Sequence, residues 1–262
     1  MEFETAIPGR KYGTFMRNIH FKIAINLRLG LDLFNRASQV SCAIDPLGHH
    51  CLGCPLGGDV IRRHDAVASV VNEEARAGAL HPRLEVSNLV FGSGSRPADV
   101  LIPNWSQGRS IALDVSVIVP TRSTLKLSAE DIADSSNAKL PADLAYDAKK
   151  KKHEPNCQLL NMLFEPLIFE AGGLVHTNSL AVLKVLSERR ATREGLNETW
   201  CFNRLLHRLA VAVQIGNANA ILNHFNLIRL SEVDSGAIQD LNASFDSSYD
   251  DFDGFADFLR ED

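Results

Sequence analysis

The chain lacks any apolar run approaching membrane-spanning length, and its first residues, Met1-Glu2-Phe3-Glu4, lack the basic-then-apolar order of an export signal. An intracellular protein is therefore expected. Cysteine is scarce and odd in number: Cys42, Cys51, Cys54, Cys157 and Cys201. Reduced thiols, some of them on a metal, are expected rather than a disulfide framework. No P-loop, serine-nucleophile elbow or dinucleotide fingerprint occurs, and Gly92 and Gly94 read as turn formers. Ser248-Tyr249-Asp250-Asp251 has no strand around it and does not read as a polymerase aspartate pair.

What is present is enough for a globular enzyme. A chain of 262 residues, 45% of them hydrophobic, can bury one sizeable core with small appendages. Its net charge of −5 is unevenly spread. Residues 231–262 carry ten acids against Arg260, a local charge of −9, which leaves +4 for the remainder. A basic body with an acidic tail suits a nucleic-acid binder, and equally a charge-asymmetric protein with a solvated tail.

The most informative stretch is 85–149. Asp99 borders the apolar run Val100-Leu101-Ile102, and Asp114 lies within Ile111 to Val119, with Pro103, Gly108 and Pro120 as breakers. Alternation puts Ile111, Leu113, Val115 and Val117 on one face, and Ala112, Asp114, Ser116 and Ile118 on the other. The connection 104–109 predicts a hairpin that brings both aspartates to one end of the sheet. Leu84-Glu85-Val86 reads as a further strand, making Glu85 a third acid. Carboxylates on neighbouring buried strands repel one another and lose hydration, and a divalent cation between them keeps both ionised.

Arg96-Pro97-Ala98-Asp99, Leu113-Asp114-Val115-Ser116-Val117 and Ala145-Tyr146-Asp147-Ala148-Lys149 together resemble the PD-(D/E)XK nuclease pattern. More narrowly, they are similar to the restriction-like endonuclease domain that follows the polymerase in site-specific non-LTR retrotransposons and their reverse-transcriptase-like relatives. Arg63-His64-Asp65 and the Cys/His cluster before it follow the same order, and the resemblance covers roughly 21–225. Ser116 stands where the broad superfamily has its lysine, so the resemblance moves that role to Lys149 on the next helix, as in the retrotransposon branch.

The resemblance implies an α/β fold: a restriction-endonuclease-like core, a mixed central sheet flanked by helices. It implies Mg²⁺ or Mn²⁺ held by Asp99, Asp114 and Glu85, assisted by a backbone carbonyl near Val115, with Lys149 completing the catalytic set. The substrate would be double-stranded DNA, nicked in the nucleus to prime reverse transcription, with RNA of the parent element as a further partner. Arg63, Arg96, Lys150 and Lys152 are the expected nucleic-acid contacts. With no recognisable polymerase, the chain reads as a detached module, a fragment or a degenerate copy; a non-catalytic nucleic-acid-binding remnant and a protein-interaction scaffold are the other readings.

Around this centre, 1–41 is expected to be a helical arm with a helix over 21–34, and 42–58 a zinc-knuckle-like loop. Cys42, His50, Cys54 and His64 are its candidate ligands. Val40 stands where the family has a cysteine partner for Cys42, so one ligand is missing or is replaced by Cys51 or His49; a loop with buried thiols and a degenerate site is the other reading. The nuclease core is assigned to 59–173. It opens with a helix over 59–77, capped by Asp59 and stopped at Gly78, whose spacing of Ile61, His64, Ala68, Val71 and Ala75 turns His64 inward. Glu74, the fallback acid, and Glu73 are expected in solvent. A polar stretch, 121–141, precedes a helix over 142–152 that ends in Lys149 to Lys152, then a strand over 163–170. Two helices, 179–189 and 197–225, form a C-terminal segment (174–230). The tail, 231–262, is expected to be disordered and to fold on a protein partner or on the basic groove in cis.

Overall fold

The computed structural model describes residues 6, 9–34, 44–84, 98–120 and 140–234, with side chains described as far as Asn226. Its helices are α1 (Asn18–Leu29), α2 (His49–Gly53), α3 (Asp59–Ala77), α4 (Pro141–Leu159), α5 (Thr177–Glu194) and α6 (Glu198–Asp234). Its strands are β1 (Arg83–Leu84), β2 (Val100–Ser106), β3 (Arg109–Ile118) and β4 (Leu163–Glu170). The four strands form one mixed sheet in the order β1-β2-β3-β4. β1, β2 and β3 pair antiparallel, and β4 joins β3 in parallel after the crossover that contains α4.

The two apolar faces of the sheet decide the layers. Ile111, Leu113 and Val115 of β3 pack with Val100, Ile102, Leu167 and Phe169 against α3, α5 and α6. The alternate residues Ala112, Phe164 and Ile168 face α4, meeting Cys157, Ala142 and Tyr146. The expected alternation along β3 is therefore observed, and the chain is a mixed α/β fold with helices on both sides of the sheet. The helices at 174–230 share this core through Leu183, Leu186, Leu205, Leu209 and Val213, so no packing boundary falls at 173.

Local chemistry explains several departures from expectation. The hairpin turn is only Gln107-Gly108, both at positive φ (50° and 76°), the geometry that tight hairpins between twisted strands require. Pro103 lies inside β2 rather than ending it; the register is irregular between Ile102 and Ser106, and Asn104 adopts φ 51°. On α3, Ile61 is 66% exposed, and the buried line runs through Arg63, Val67, Val71 and Ala75. His64 is thereby turned to the rim of the sheet instead of the core. Gly78 has φ −80°, and Ala79 takes the left-handed position. Glycine at 78 answers a close approach instead: a Cβ there would lie 3.0 Å from Arg189 Cβ. α4 continues through Pro155 to Leu159, so the lysine run lies mid-helix rather than at the helix end expected at 152.

Arg63 corrects an expectation. Only 2% exposed, it is beyond the reach of a phosphate. Its guanidinium donates to Asn217 Oδ1 at 2.7 Å and to the Leu52 carbonyl at 2.9 Å, tying α2, α3 and α6 together. Burial lowers its pKa to about 10, which leaves it charged at neutral pH. The side chain crosses α6 over Gly216, where a Cβ would fall 2.5 Å from Arg63 Cγ. Alanine normally stabilises a helix interior by about 1 kcal/mol over glycine. Gly216→Ala is expected to lower the melting temperature despite that gain; an unchanged or raised value would contradict the tight crossing.

Candidate active site

Asp99 immediately precedes β2. Its N–H donates to the Leu113 carbonyl at 2.9 Å, and its carboxylate Oδ2 accepts from Val115 N–H at 2.6 Å. These partners lie on either side of Asp114, so Asp99 is strapped across the strand position of the second acid. His64, from α3, holds the same Oδ2 at 3.0 Å through Nε2, while its Nδ1 stands 3.0 Å from Asp65 Oδ1. The hydrogen bond to Asp99, supported by Asp65 and opposed by burial, raises the His64 pKa to about 9. The imidazole is therefore a cation at neutral pH and donates from both nitrogens.

Asp114 sits on the opposite, α4-facing side of β3 from the main core and is 7% exposed. Lys149 Nζ lies 2.8 Å from its Oδ2 and 3.1 Å from its Oδ1, with hydrogen-bond alignment only to Oδ1. Oδ2 is buried without an aligned donor. Burial pushes the Asp114 carboxyl above its usual range; Lys149 pulls it back, Asp99 pushes it further up, and burial wins. The site thus holds two acids under mutual repulsion and one carboxylate oxygen with incomplete hydrogen bonding. Both features suit a hard, oxygen-seeking cation such as Mg²⁺ or Mn²⁺.

His153 belongs to this site and was missed in the sequence. It lies one helical turn beyond Lys149 on α4 and is 8% exposed. Burial lowers its pKa, helped by Lys152 and Lys149 and opposed by Asp114 and Asp99, so it is neutral at pH 7. The signal was its i+4 spacing from the lysine, hidden by the run Lys149 to Lys152.

The remaining candidates are distributed as follows. Glu85, Arg96 and Cys42 lie outside the described residues; β1 ends at Leu84, which pairs with Val100, the residue after Asp99. Lys150, expected to contact nucleic acid, instead bonds Glu154 Oε1 at 2.9 Å, the Phe164 carbonyl at 2.7 Å and Glu165 Oε2 at 3.1 Å. Glu165 also accepts from the Tyr146 hydroxyl at 2.6 Å. Lys150 therefore pins α4 to β4 and so aims its neighbour, Lys149. Lys152 is exposed, as a contact to a polyanion requires.

Two further expectations are corrected. Glu74 is neither solvated nor near the aspartates: at 1% exposure it pairs with Arg190 Nη1 at 2.9 Å, ten residues along α3 from His64. That separation is about 15 Å of helix. The described members of the zinc set, His50, Cys54 and His64, are not gathered either. His50 is exposed, Cys54 is buried and His64 is committed to Asp99. Among the described residues no group of three or more His, Cys, Asp or Glu side chains is placed to share a metal. At the candidate site this leaves two described acids, Asp99 and Asp114. Comparison with known protein families and with curated proteins finds no match to the chain.

The His64–Asp99 bond sets a pH window. A pKa raised from 6.5 to about 9 on folding contributes stability that is fully present below pH 6.5 and lost as pH rises through 9. His64→Gln should therefore be destabilised relative to the parent at pH 6, with the gap closing by about pH 10, as read from urea midpoints. A gap that is constant across this range would contradict the ionic bond.

Proposed function

We propose that the chain is a metal-dependent DNA endonuclease of the restriction-like type, cleaving a phosphodiester by hydrolysis. One observation carries this reading. Two aspartates from adjacent strands converge, and the lysine of the crossover helix stands within 2.8 Å of the more buried one. The element order supports it further: a helix, three antiparallel strands, a crossover helix, a parallel strand and a closing helix match the mixed sheet flanked by helices that the resemblance implies.

Asp99 and Asp114 would hold Mg²⁺ or Mn²⁺, with Glu85 as the third acid the resemblance implies. A bound divalent ion lowers the pKa of a coordinated water and polarises the scissile phosphate. The other groups have roles that follow from their charge. His64 and Val115 N–H fix the orientation of Asp99 from one side. Lys149 supplies a positive charge beside Asp114, suited to orienting the attacking water or neutralising charge that develops on the phosphate. His153, neutral and buried behind Lys149, can accept a proton at its imidazole. No covalent intermediate is required. Double-stranded DNA in the nucleus is the substrate that fits the retrotransposon resemblance, and exposed Lys152 is available to its backbone.

The test is nicking of supercoiled plasmid with Mg²⁺, Mn²⁺ or EDTA. Asp114→Asn should lower the metal-dependent rate by about 10² to 10³ or more. Because the ionised Asp114 carboxylate is disfavoured by burial, the same variant should melt no lower than the parent at pH 7. Full nicking by a folded Asp114→Asn protein would rule out the assignment. Lys149→Ala should also reduce the rate with plasmid binding retained.

A further inference from the structure

At the N-terminal end of α6, away from the aspartates, a cavity of about 290 Å³ is lined by Tyr12, Thr14, Trp200, Asn203, Arg204 and His207. Its aromatic rings are open to solvent, with Trp200 46% and Tyr12 39% exposed. One turn on, the Arg204 guanidinium lies 5.6 Å from the Trp200 ring centroid. A second pair of the same kind stands in the neighbouring loop, Arg10 over the exposed Phe15 ring at 4.4 Å.

Arg204 differs from the two arginines beside it in lacking a direct ion pair. Arg190 is matched by Glu74 and Glu194, and Arg208 by Glu73 and Glu74. Arg204 has no carboxylate in contact among the described residues, and its Nε is buried without a hydrogen-bond partner. Burial, Arg190 and Arg208 make its charge harder to hold, and the more distant Glu74 and Glu194 offset this only in part, so an arriving anion would be favoured. The opposite wall is already in place. Tyr12 and Thr14 N–H groups donate to the Gly9 carbonyl at 3.2 Å, and Gly13 (φ 70°) lets this turn press on α6, where a Cβ would meet Arg208 Nε at 2.8 Å.

We propose that this cavity is a base-stacking site for single-stranded nucleic acid, with one base against Trp200 and Tyr12 and an adjoining phosphate on Arg204. The ligand must bring a flat ring and a negative charge together. A nucleotide does so within a single unit of its polymer, whereas a peptide needs two side chains held in register. Stacking on an exposed aromatic beside an arginine is also indifferent to base identity, as expected of a strand-holding site. The site uses neither aspartate and no metal, and so stands independently of the nuclease reading.

The test is fluorescence anisotropy of a labelled oligothymidylate of about twelve nucleotides, a length within the usual range for such sites, titrated with the full chain in EDTA. Trp200→Ala should weaken binding roughly tenfold, with Trp200→Phe restoring most of it. Arg204→Gln should weaken binding and flatten its salt dependence. An abasic backbone of the same length should bind more weakly than oligothymidylate. Equal binding of the two probes, or unchanged affinity in Trp200→Ala, overturns the proposal. So does capture of a peptide covering 241–262 with no binding of the oligonucleotide, which would assign the cavity to the chain's own acidic-aromatic tail. Trp200 is exposed, so its variants are expected to melt with the parent, which separates lost stacking from lost folding.

Discussion

A carboxylate buried in the middle of a sheet is the constraint on which the rest depends. Asp114 is flanked along β3 by Leu113 and Val115, and its own ionisation is opposed by burial and by Asp99. The surrounding structure supplies partial compensation. Lys149 comes from the crossover helix, and Val115 N–H and His64 restrain the competing acid, Asp99. Such an arrangement is unfavourable for stability alone, because well-packed apolar groups fill such positions at lower free energy. Its presence on this strand is the observation from which the proposed chemistry starts.

The helices are fastened in ways that keep that arrangement in register. α4 is held to β4 by Lys150, Glu165 and Tyr146, and Tyr146 in turn stacks on His176 at 4.1 Å. Lys149 is therefore presented by a helix with little freedom to turn. α3 is held to α6 by Arg63 and Asn217 near its start, and through Glu73 and Glu74 to Arg208 near its end. With both ends fixed, His64 has a defined approach to Asp99. The polar groups buried between helices act as locating pins, while Val67, Val71, Leu209 and Val213 contribute the apolar burial that drives the helices together.

The sheet was legible because period-two patterns in β3 and β4 are strong. The strand at 163–170 and the alternation from Ile111 to Ile118 follow from apolar spacing alone; Lys149 stands beside Asp114, and Asp99 accepts from the backbone of the next residue, Val115. Side-chain destinations on helices were harder to read. Arg63 looked like a phosphate ligand because arginines are ordinarily solvated, and nothing local announces that Gly216, 153 positions later, leaves room for it. Lys150 and Glu74 were misjudged for the same reason: their partners, Glu165 and Arg190, are remote in sequence. His153 was masked by the four lysines before it. Glu85, Arg96 and Cys42 fall outside the described residues, and the metal set of the proposed nuclease is carried by two acids on that account.

The central claim is that Asp99 and Asp114 form one cation site facing Lys149. Calorimetric titration of the metal-free full chain with Mn²⁺ at pH 7 tests it without any assumption about substrate. The account predicts a binding event in the parent that disappears in the Asp99→Asn/Asp114→Asn double variant while the fold persists. Undiminished Mn²⁺ binding by that folded variant would contradict it.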